Sequence, residues 1–174
     1  FYLLPYLEQF HKKYPKIKVN VTNAPTPETI EFLANGTIDF GIVSSPISEM
    51  EGLKIRKVRP IQDIFVANHR YEELKGKRLD YSILKDYPII CLEPKTSTRV
   101  YMDQFLQEKH VLLEPEFELA TSDIIVQFAL RGLGIGYVVR DFAKKHLESG
   151  ELFELQFENQ IPERQMCIVT NDAN

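Results

Sequence analysis

The stretch Ser122-Asp-Ile-Ile-Val-Gln-Phe-Ala-Leu-Arg-Gly-Leu-Gly-Ile-Gly-Tyr-Val-Val139 is the most informative segment for the fold class of this chain. Apolar residues recur at helical spacing over its first half, and glycines then lead into the apolar run Ile135–Val139. The order is therefore helix, glycine turn, strand. A dinucleotide-binding fingerprint needs the reverse order, and its glycine spacing differs from that of Gly132, Gly134 and Gly136. We interpret the segment as a structural turn that returns a helix to an internal sheet.

Composition limits the classes of function that fit this chain. It has 174 residues, of which 44% are hydrophobic, enough for one domain or two small lobes with a core. A formal net charge of −4 makes it a poor candidate for binding nucleic acid directly. No apolar run is long enough to cross a membrane, and no secretion leader opens the chain. Cys91 and Cys167 each lie in an apolar run, so reduced thiols in the cytoplasm are a simpler interpretation than a disulfide.

Helical and strand patterns alternate along the chain. The charged stretch 69–78 is interpreted as a loop or a short helix. Strands separated by helices imply parallel sheets with helices on their faces, and there are more elements than one small sheet needs. We therefore predict an α/β fold with two lobes. The predicted helices cover 3–14, 26–35, 98–109, 122–131 and 142–147, and the predicted strands cover 17–21, 39–43, 53–58, 61–67, 88–92, 117–119, 135–139, 152–157 and 165–170.

Three motifs in this order resemble a known family. They are Leu3-Leu-Pro-Tyr-Leu-Glu-Gln-Phe10 with Tyr14-Pro15, then Leu33-Ala-Asn-Gly-Thr-Ile-Asp-Phe-Gly-Ile-Val43, and then Gly132-Leu-Gly-Ile-Gly136. As a set they resemble the effector-binding domain of LysR-type transcriptional regulators, over nearly the whole chain. The resemblance implies a type 2 periplasmic-binding-protein fold, with two α/β lobes, two crossover strands and a ligand cleft between the lobes. One lobe would hold residues 1–59 with 162–174, and the other would hold 60–161.

The resemblance also implies how the chain works and assembles. The family's winged helix-turn-helix domain is absent from this sequence, as are its opening strand and last helix. We therefore expect the chain to sense a small-molecule effector, with DNA bound only through that N-terminal domain and no membrane partner. The expected assembly is a homodimer, or a tetramer at full length, in which residues 3–21 of one protomer face residues 122–131 of the other.

Two other classes of protein share the two-lobed fold and stay open. One is an extracytoplasmic solute-binding protein of a transporter, which would be exported. The other is an enzyme such as a prephenate dehydratase or a hydroxymethylbilane synthase. The sequence offers no catalytic constellation, metal site or cofactor site, because its four histidines lack metal-ligand spacing and it has no nucleophile elbow, phosphate loop or Cys-x-x-Cys. We therefore predict a binding domain and not an enzyme.

Candidate effector contacts lie in hydroxyl-rich segments at the starts of helices and the ends of strands. Thr26 precedes Pro27 and Glu28, which predicts an N-cap and a helix start whose amides can face an anion. By resemblance to the family, Thr26 also matches an effector contact. Ser44, Thr121 and Ser122 are weaker candidates of the same type.

A second candidate cluster, Thr96-Ser97-Thr98-Arg99, follows a predicted strand and opens the next helix. Its hydroxyls and guanidinium could clamp a carboxylate or another oxyanion. Simple capping, with Arg99 in solvent, is an equally good interpretation. Both clusters lead us to expect a small anionic effector, a carboxylate metabolite.

Overall fold

Two larger sheets form the framework of the fold, and a third sheet has only two strands. The computed structural model describes residues 2–48 and 50–172, so residues 1, 49, 173 and 174, which the predicted lobe boundaries include, lie outside the described part. The helices are α1 (Leu4–Lys13), α2 (Thr26–Ala34), α3 (Ser97–Glu108), α4 (Ser122–Leu130) and α5 (Arg140–Ser149), with 3-10 helices at His69–Leu74 and Tyr81–Asp86. The strands are β1 (Phe40–Ser44), β2 (Leu53–Ile61), β3 (Asp63–Ala67), β4 (Arg78–Leu79), β5 (Ile89–Leu92), β6 (Phe117–Leu119), β7 (Ile135–Val139), β8 (Phe153–Glu154), β9 (Gln156–Phe157) and β10 (Arg164–Asn171).

The first sheet has three strands in the order β1-β10-β2, all antiparallel. The prediction of parallel sheets is wrong here, because β10 returns from the far end of the chain and runs opposite to both neighbours. Helix α2 packs on this sheet through Ile30 and Leu33, which contact a small core. The rest of that core comes from Val43, Cys167 and Val169.

The second sheet has the order β6-β5-β7-β3-β8 and is mixed. Strand β5 runs parallel to β6 and β7, as predicted, whereas β3 is antiparallel to β7 and β8. Side chains of α4 pack on one face, where Ile125 and Ala129 join a buried cluster. On the other face, Met102 and Leu106 of α3 pack near Tyr137. Helices thus cover both faces, which agrees with the predicted α/β class.

The stretch from α4 to β7 forms the helix, glycine turn and strand that its sequence predicts. Gly132 has a φ of 69°, a left-handed conformation that ends the helix without steric cost. At Gly134, a Cβ atom would lie 2.6 Å from the carbonyl oxygen of Pro88, so only glycine allows this close approach. The turn therefore lets β7 pair directly with β5.

Two connections pass between the sheets and lie side by side. Only Gln62 separates β2 from β3, and the second connection enters β10 through Ile161 and Pro162. The Gln62 side chain donates to the carbonyl oxygen of Ile161 at 2.7 Å. This pair of crossovers agrees with the predicted fold class, while the exact lobe boundaries, 1–59 with 162–174 and 60–161, stay a prediction.

Several predicted elements differ from the structure. Residues 17–21 are exposed and form no strand, because alternation alone does not supply a neighbouring strand to pair with. The predicted strand 152–157 divides into β8, which belongs to the second sheet, and β9, which pairs with β4 in a separate two-stranded sheet. Helix α5 begins two residues before the predicted start and ends two residues after the predicted end. Among the described residues, no helix is long and apolar enough to cross a lipid bilayer.

Candidate functional site

Four hydroxyl side chains from three separate elements meet between the two sheets. We call Thr26, Ser44, Ser97 and Thr98 the hydroxyl cluster. Thr26 Oγ1 donates to Ser97 Oγ at 3.1 Å, and the Oγ atoms of Ser44 and Ser97 are 2.7 Å apart. Thr26 begins α2, Ser44 ends β1, and Ser97 and Thr98 begin α3. The cluster therefore joins the first sheet to the helix that covers the second.

A buried ion pair lies beside the hydroxyl cluster. Arg164, which is 2% exposed, donates from Nε and Nη2 to the two carboxylate oxygens of Asp63 at 2.5 and 2.7 Å. The same guanidinium donates to Thr98 Oγ1 at 3.0 Å, to Ser44 Oγ at 3.3 Å and to the carbonyl oxygen of Ser45 at 2.6 Å. Since a guanidinium has five N–H groups, these five bonds use its full capacity.

The surroundings of Asp63 act on its ionisation in opposite directions. Burial is the largest influence and raises the pKa of the Asp63 carboxyl, while the bonds from Arg164 oppose that rise. The buried Tyr137 hydroxyl also lowers the pKa of Asp63, although among the described residues it makes no hydrogen bond of ordinary geometry. The ring of Tyr101 lies 5.3 Å from the Arg164 guanidinium carbon, and its hydroxyl donates to the carbonyl oxygen of Pro162. These contacts hold the ion pair rigidly at the crossovers.

The two helices that reach the cluster begin in different ways. The sequence predicted Thr26 as the N-cap of α2, and this is wrong. Pro25 occupies the N-cap position in an extended conformation, and Thr26 is the first helical residue. Its hydroxyl is therefore free to reach across to Ser97. Thr96 does cap α3, and its Oγ1 accepts from the backbone N–H of Arg99 at 3.2 Å. At both starts, the first amides have no acceptor within their own helix.

The sequence suggested Arg99 as an effector contact, but its guanidinium points away from the hydroxyl cluster. It donates to the carbonyl oxygen of Leu92 at 3.0 Å and forms ion pairs with Asp103 and Glu118. It is therefore neither in solvent nor in contact with the hydroxyl cluster. Its bonds instead anchor the start of α3 to the end of β5, and Arg164 is the arginine of the cluster.

The remaining candidates stand apart from these contacts. Thr121 is the N-cap residue of α4 but makes no capping hydrogen bond with its side chain. Ser122 is half-buried, and within the described residues neither hydroxyl bonds to the cluster. Sequence reasoning missed Asp63, Tyr101 and Arg164. One sequence signal could have indicated a buried charge, namely a single charged residue at the edge of an apolar run, such as Asp63 before Ile64–Ala67.

Comparison with known proteins shows the family of this chain. The family model described as the LysR substrate binding domain matches residues 1–174. The chain belongs to the LysR family. It is an effector-binding domain of a LysR-type regulator, as its sequence motifs predicted.

The LysR relatives of this domain are longer transcription regulators. The HTH-type transcriptional activator CmpR of Synechocystis is 26% identical over 129 residues, which are 74% of this chain and 42% of CmpR. A probable RuBisCO transcriptional regulator of Chlorokybus atmophyticus is 28% identical over 98% of this chain and 56% of its own length. The chain thus spans about half the length of the curated relatives it matches. These relatives are regulators and not enzymes.

Solved LysR structures share the fold. The Synechocystis PCC6803 CcmR regulatory domain, in complex with 2-PG, matches with a TM-score of 0.85 at 23% identity, over 99% of this chain and 83% of that one. The effector binding domain of QuiR, in complex with shikimate, matches with a TM-score of 0.81 at 15% identity, over 98% of this chain and 81% of QuiR's. The predicted type 2 periplasmic-binding-protein-like fold is confirmed.

Proposed function

We propose that this LysR domain binds a small anionic metabolite at the hydroxyl cluster, and that binding controls DNA binding and transcription by the full-length regulator. The observation that carries the proposal is the meeting of two helix N-termini, with Thr26 of α2 and Ser97 of α3 in direct hydrogen-bond contact. Each helix start presents backbone N–H groups and a partial positive charge, so two of them together favour an anion.

The charges of the cluster support a ligand that carries few charges. Asp63 neutralises Arg164, and all donors of that guanidinium are engaged, so no free cation of the cluster faces the ligand. An anionic oxygen would instead be held by hydroxyls and by the first amides of α3. A single helix end contributes about 0.3–1 kcal/mol, or up to about 2 when partly buried. Micromolar affinity needs about −8 kcal/mol, so several such contacts must act together.

A thermal screen with paired compounds tests the preference for an anion. Each carboxylate, for example glycolate or shikimate, is compared with its neutral amide on the 174-residue chain. A carboxylate present at tenfold its dissociation constant should add about 1.4 kcal/mol of stability, which raises the melting temperature by roughly 3–6 °C. Equal effects of carboxylates and amides would contradict the anion preference. Stabilisation by amides alone would point to a neutral effector.

The proposed assembly is a homodimer with two-fold symmetry, acting in the cytoplasm, where transcription regulators work. Helix α1 contains no buried residue, and its Phe10 is 40% exposed. Ile124 of α4 is 43% exposed. These apolar surfaces suit the antiparallel contact in which α1 of one protomer faces α4 of the other. DNA would be bound only by a separate domain of the full-length protein.

A further inference from the structure

Two of the three hydrogen bonds that link Arg164, Ser44, Ser97 and Thr26 have a direction that is fixed by which group can donate. A guanidinium can only donate, so the 3.3 Å contact from Arg164 Nη1 makes Ser44 Oγ an acceptor. From the other side, Thr26 Oγ1 donates to Ser97 Oγ at 3.1 Å, which is its shorter contact, because its other acceptor, the carbonyl oxygen of Ser44, lies 3.4 Å away. The remaining contact, 2.7 Å between Ser44 Oγ and Ser97 Oγ, can run either way by geometry alone.

Polarisation by the charged group decides the direction of that last contact. A hydroxyl that accepts from a cation becomes a stronger donor, because successive hydrogen bonds strengthen one another. Ser44 therefore donates to Ser97. The Ser97 oxygen then accepts two hydrogen bonds, one from Ser44 and one from Thr26, which occupies both of its lone pairs. With both bonds running towards Ser97, its own proton is used in neither of them, and Ser97 is only 7% exposed.

We propose that Arg164 is a positioning residue for the effector: through Ser44 it orients the Ser97 hydroxyl, which donates its proton to an anionic oxygen of the effector. This inference rests on the proposed function and deepens it. Arg164 itself does not contact the effector, because its five N–H groups are already engaged.

The same relay links effector binding to closure of the cleft. Ser44 ends β1 of the first sheet, whereas Ser97 begins α3, whose side chains pack on the second sheet. The hydrogen bond between these two serines spans the two parts of the domain, so moving the parts away from each other would break it. An anion that uses the polarised donor therefore favours the arrangement in which the two parts are this close.

A double-mutant cycle on Ser44 and Ser97 tests the relay. The probes are glycolate and inorganic phosphate, and affinities come from the backbone amide shifts of Ser97 and Thr98 on the folded chain. Ser44→Ala and Ser97→Ala should each weaken binding of a probe about threefold to tenfold, the usual worth of one hydrogen bond. The double variant should bind no more weakly than Ser97→Ala alone, because Ser44 acts through Ser97.

Two further variants separate this relay from a general structural effect. Ser45→Ala is the matched control, because its Oγ accepts from the backbone N–H of Gln165 and does not contact Ser97. It should bind the probe like the wild type. Arg164→Lys keeps a positive charge opposite Asp63 but cannot supply five N–H donors. It should weaken binding more in the wild-type background than in the Ser97→Ala background, where only its bond to Thr98 can still act on the effector.

The outcomes distinguish the relay from the proposed function. If Ser44→Ala and Ser97→Ala weaken binding independently, so that their factors multiply, the relay is wrong while the anion site stands. The same holds if Ser44→Ala binds like Ser45→Ala. If the wild type shows no saturable shift with either probe, the anion site itself is wrong, and the relay falls with it.

Discussion

Arg164 and Asp63 form a bidentate ion pair at the two crossovers, although they are 101 positions apart in the sequence. Their side chains are 1% and 0% exposed, so solvent screens neither charge. A buried pair of this kind adds little net stability over an apolar pair, but removing one partner leaves the other charge without compensation.

We therefore expect Asp63→Ala or Arg164→Ala to lower the free energy of unfolding by about 3–5 kcal/mol. Urea denaturation measures this loss. The double variant should lose less than the sum of the two single losses, because it leaves no unpaired charge. A loss of less than about 1 kcal/mol in either single variant would contradict a buried ion pair.

Substitution of Arg99 should lower mainly the stability of the domain, whereas substitution of Thr98 should lower its affinity for the effector. Arg99→Ala removes bonds to Glu118, Asp103 and the carbonyl oxygen of Leu92, so it should lower stability by about 1–3 kcal/mol. The affinity for an anion should change less than twofold. Thr98→Ala should instead weaken the affinity, measured by calorimetry. An affinity loss in the folded Arg99→Ala variant as large as that in Thr98→Ala would restore Arg99 as an effector contact.

Cys91 should stay unreactive in the folded chain. It is fully buried, and this burial raises its pKa to about 12, although Arg99 lowers it somewhat. An unfolded thiol ionises near pH 8.5, so the unfolded chain loses this proton first and stability falls as the pH rises above that value. The stabilising contribution is complete below pH 8.5 and is lost towards pH 12.

Iodoacetamide at pH 8.5, followed by mass spectrometry, measures the reactivity of Cys91. Modification should require unfolding, and Cys91→Ala should remove part of the fall in stability above pH 8.5. Rapid modification of the folded chain would show that the thiol is accessible.

The domain should become more compact when it binds an anion. The two crossovers are joined at Gln62 and Ile161, which leaves hinge motion about that point as the available movement. Small-angle scattering should show a smaller radius of gyration with the carboxylate that gives the largest thermal shift, and no change with its amide. An unchanged radius at saturation would argue against a large closure.

The isolated chain should dimerise through α1. Sedimentation equilibrium should give a mass near 40 kDa, about twice the 20.2 kDa of one chain. Phe10→Lys should shift the mass to that of a monomer without loss of fold, because α1 has no buried residue. Leu112→Lys is the matched control, since Leu112 is exposed but lies outside α1 and α4. A monomeric wild type at micromolar concentration would contradict the dimer.

Elements whose signals are local could be predicted from the sequence. Helical periodicity followed by glycines predicted α4, its turn and β7, because the period and the left-handed glycine depend only on neighbouring residues. The order of motifs predicted the family and the two-lobed fold. The hydroxyls of Thr26, Ser44, Ser97 and Thr98 were also visible, because short polar side chains at helix starts and strand ends are readable along the chain.

Which of those groups meet depends on the packing of residues that are distant in sequence. Residues 17–21 alternate like a strand, but alternation specifies a buried face and not a neighbouring strand. Arg99 lies next to the hydroxyls in sequence, yet its guanidinium turns to Glu118, while Arg164 reaches Ser44 across 120 positions. Nothing in a single sequence pairs Arg164 with Asp63, because a buried charge is placed by the packing that surrounds it and not by its neighbours along the chain.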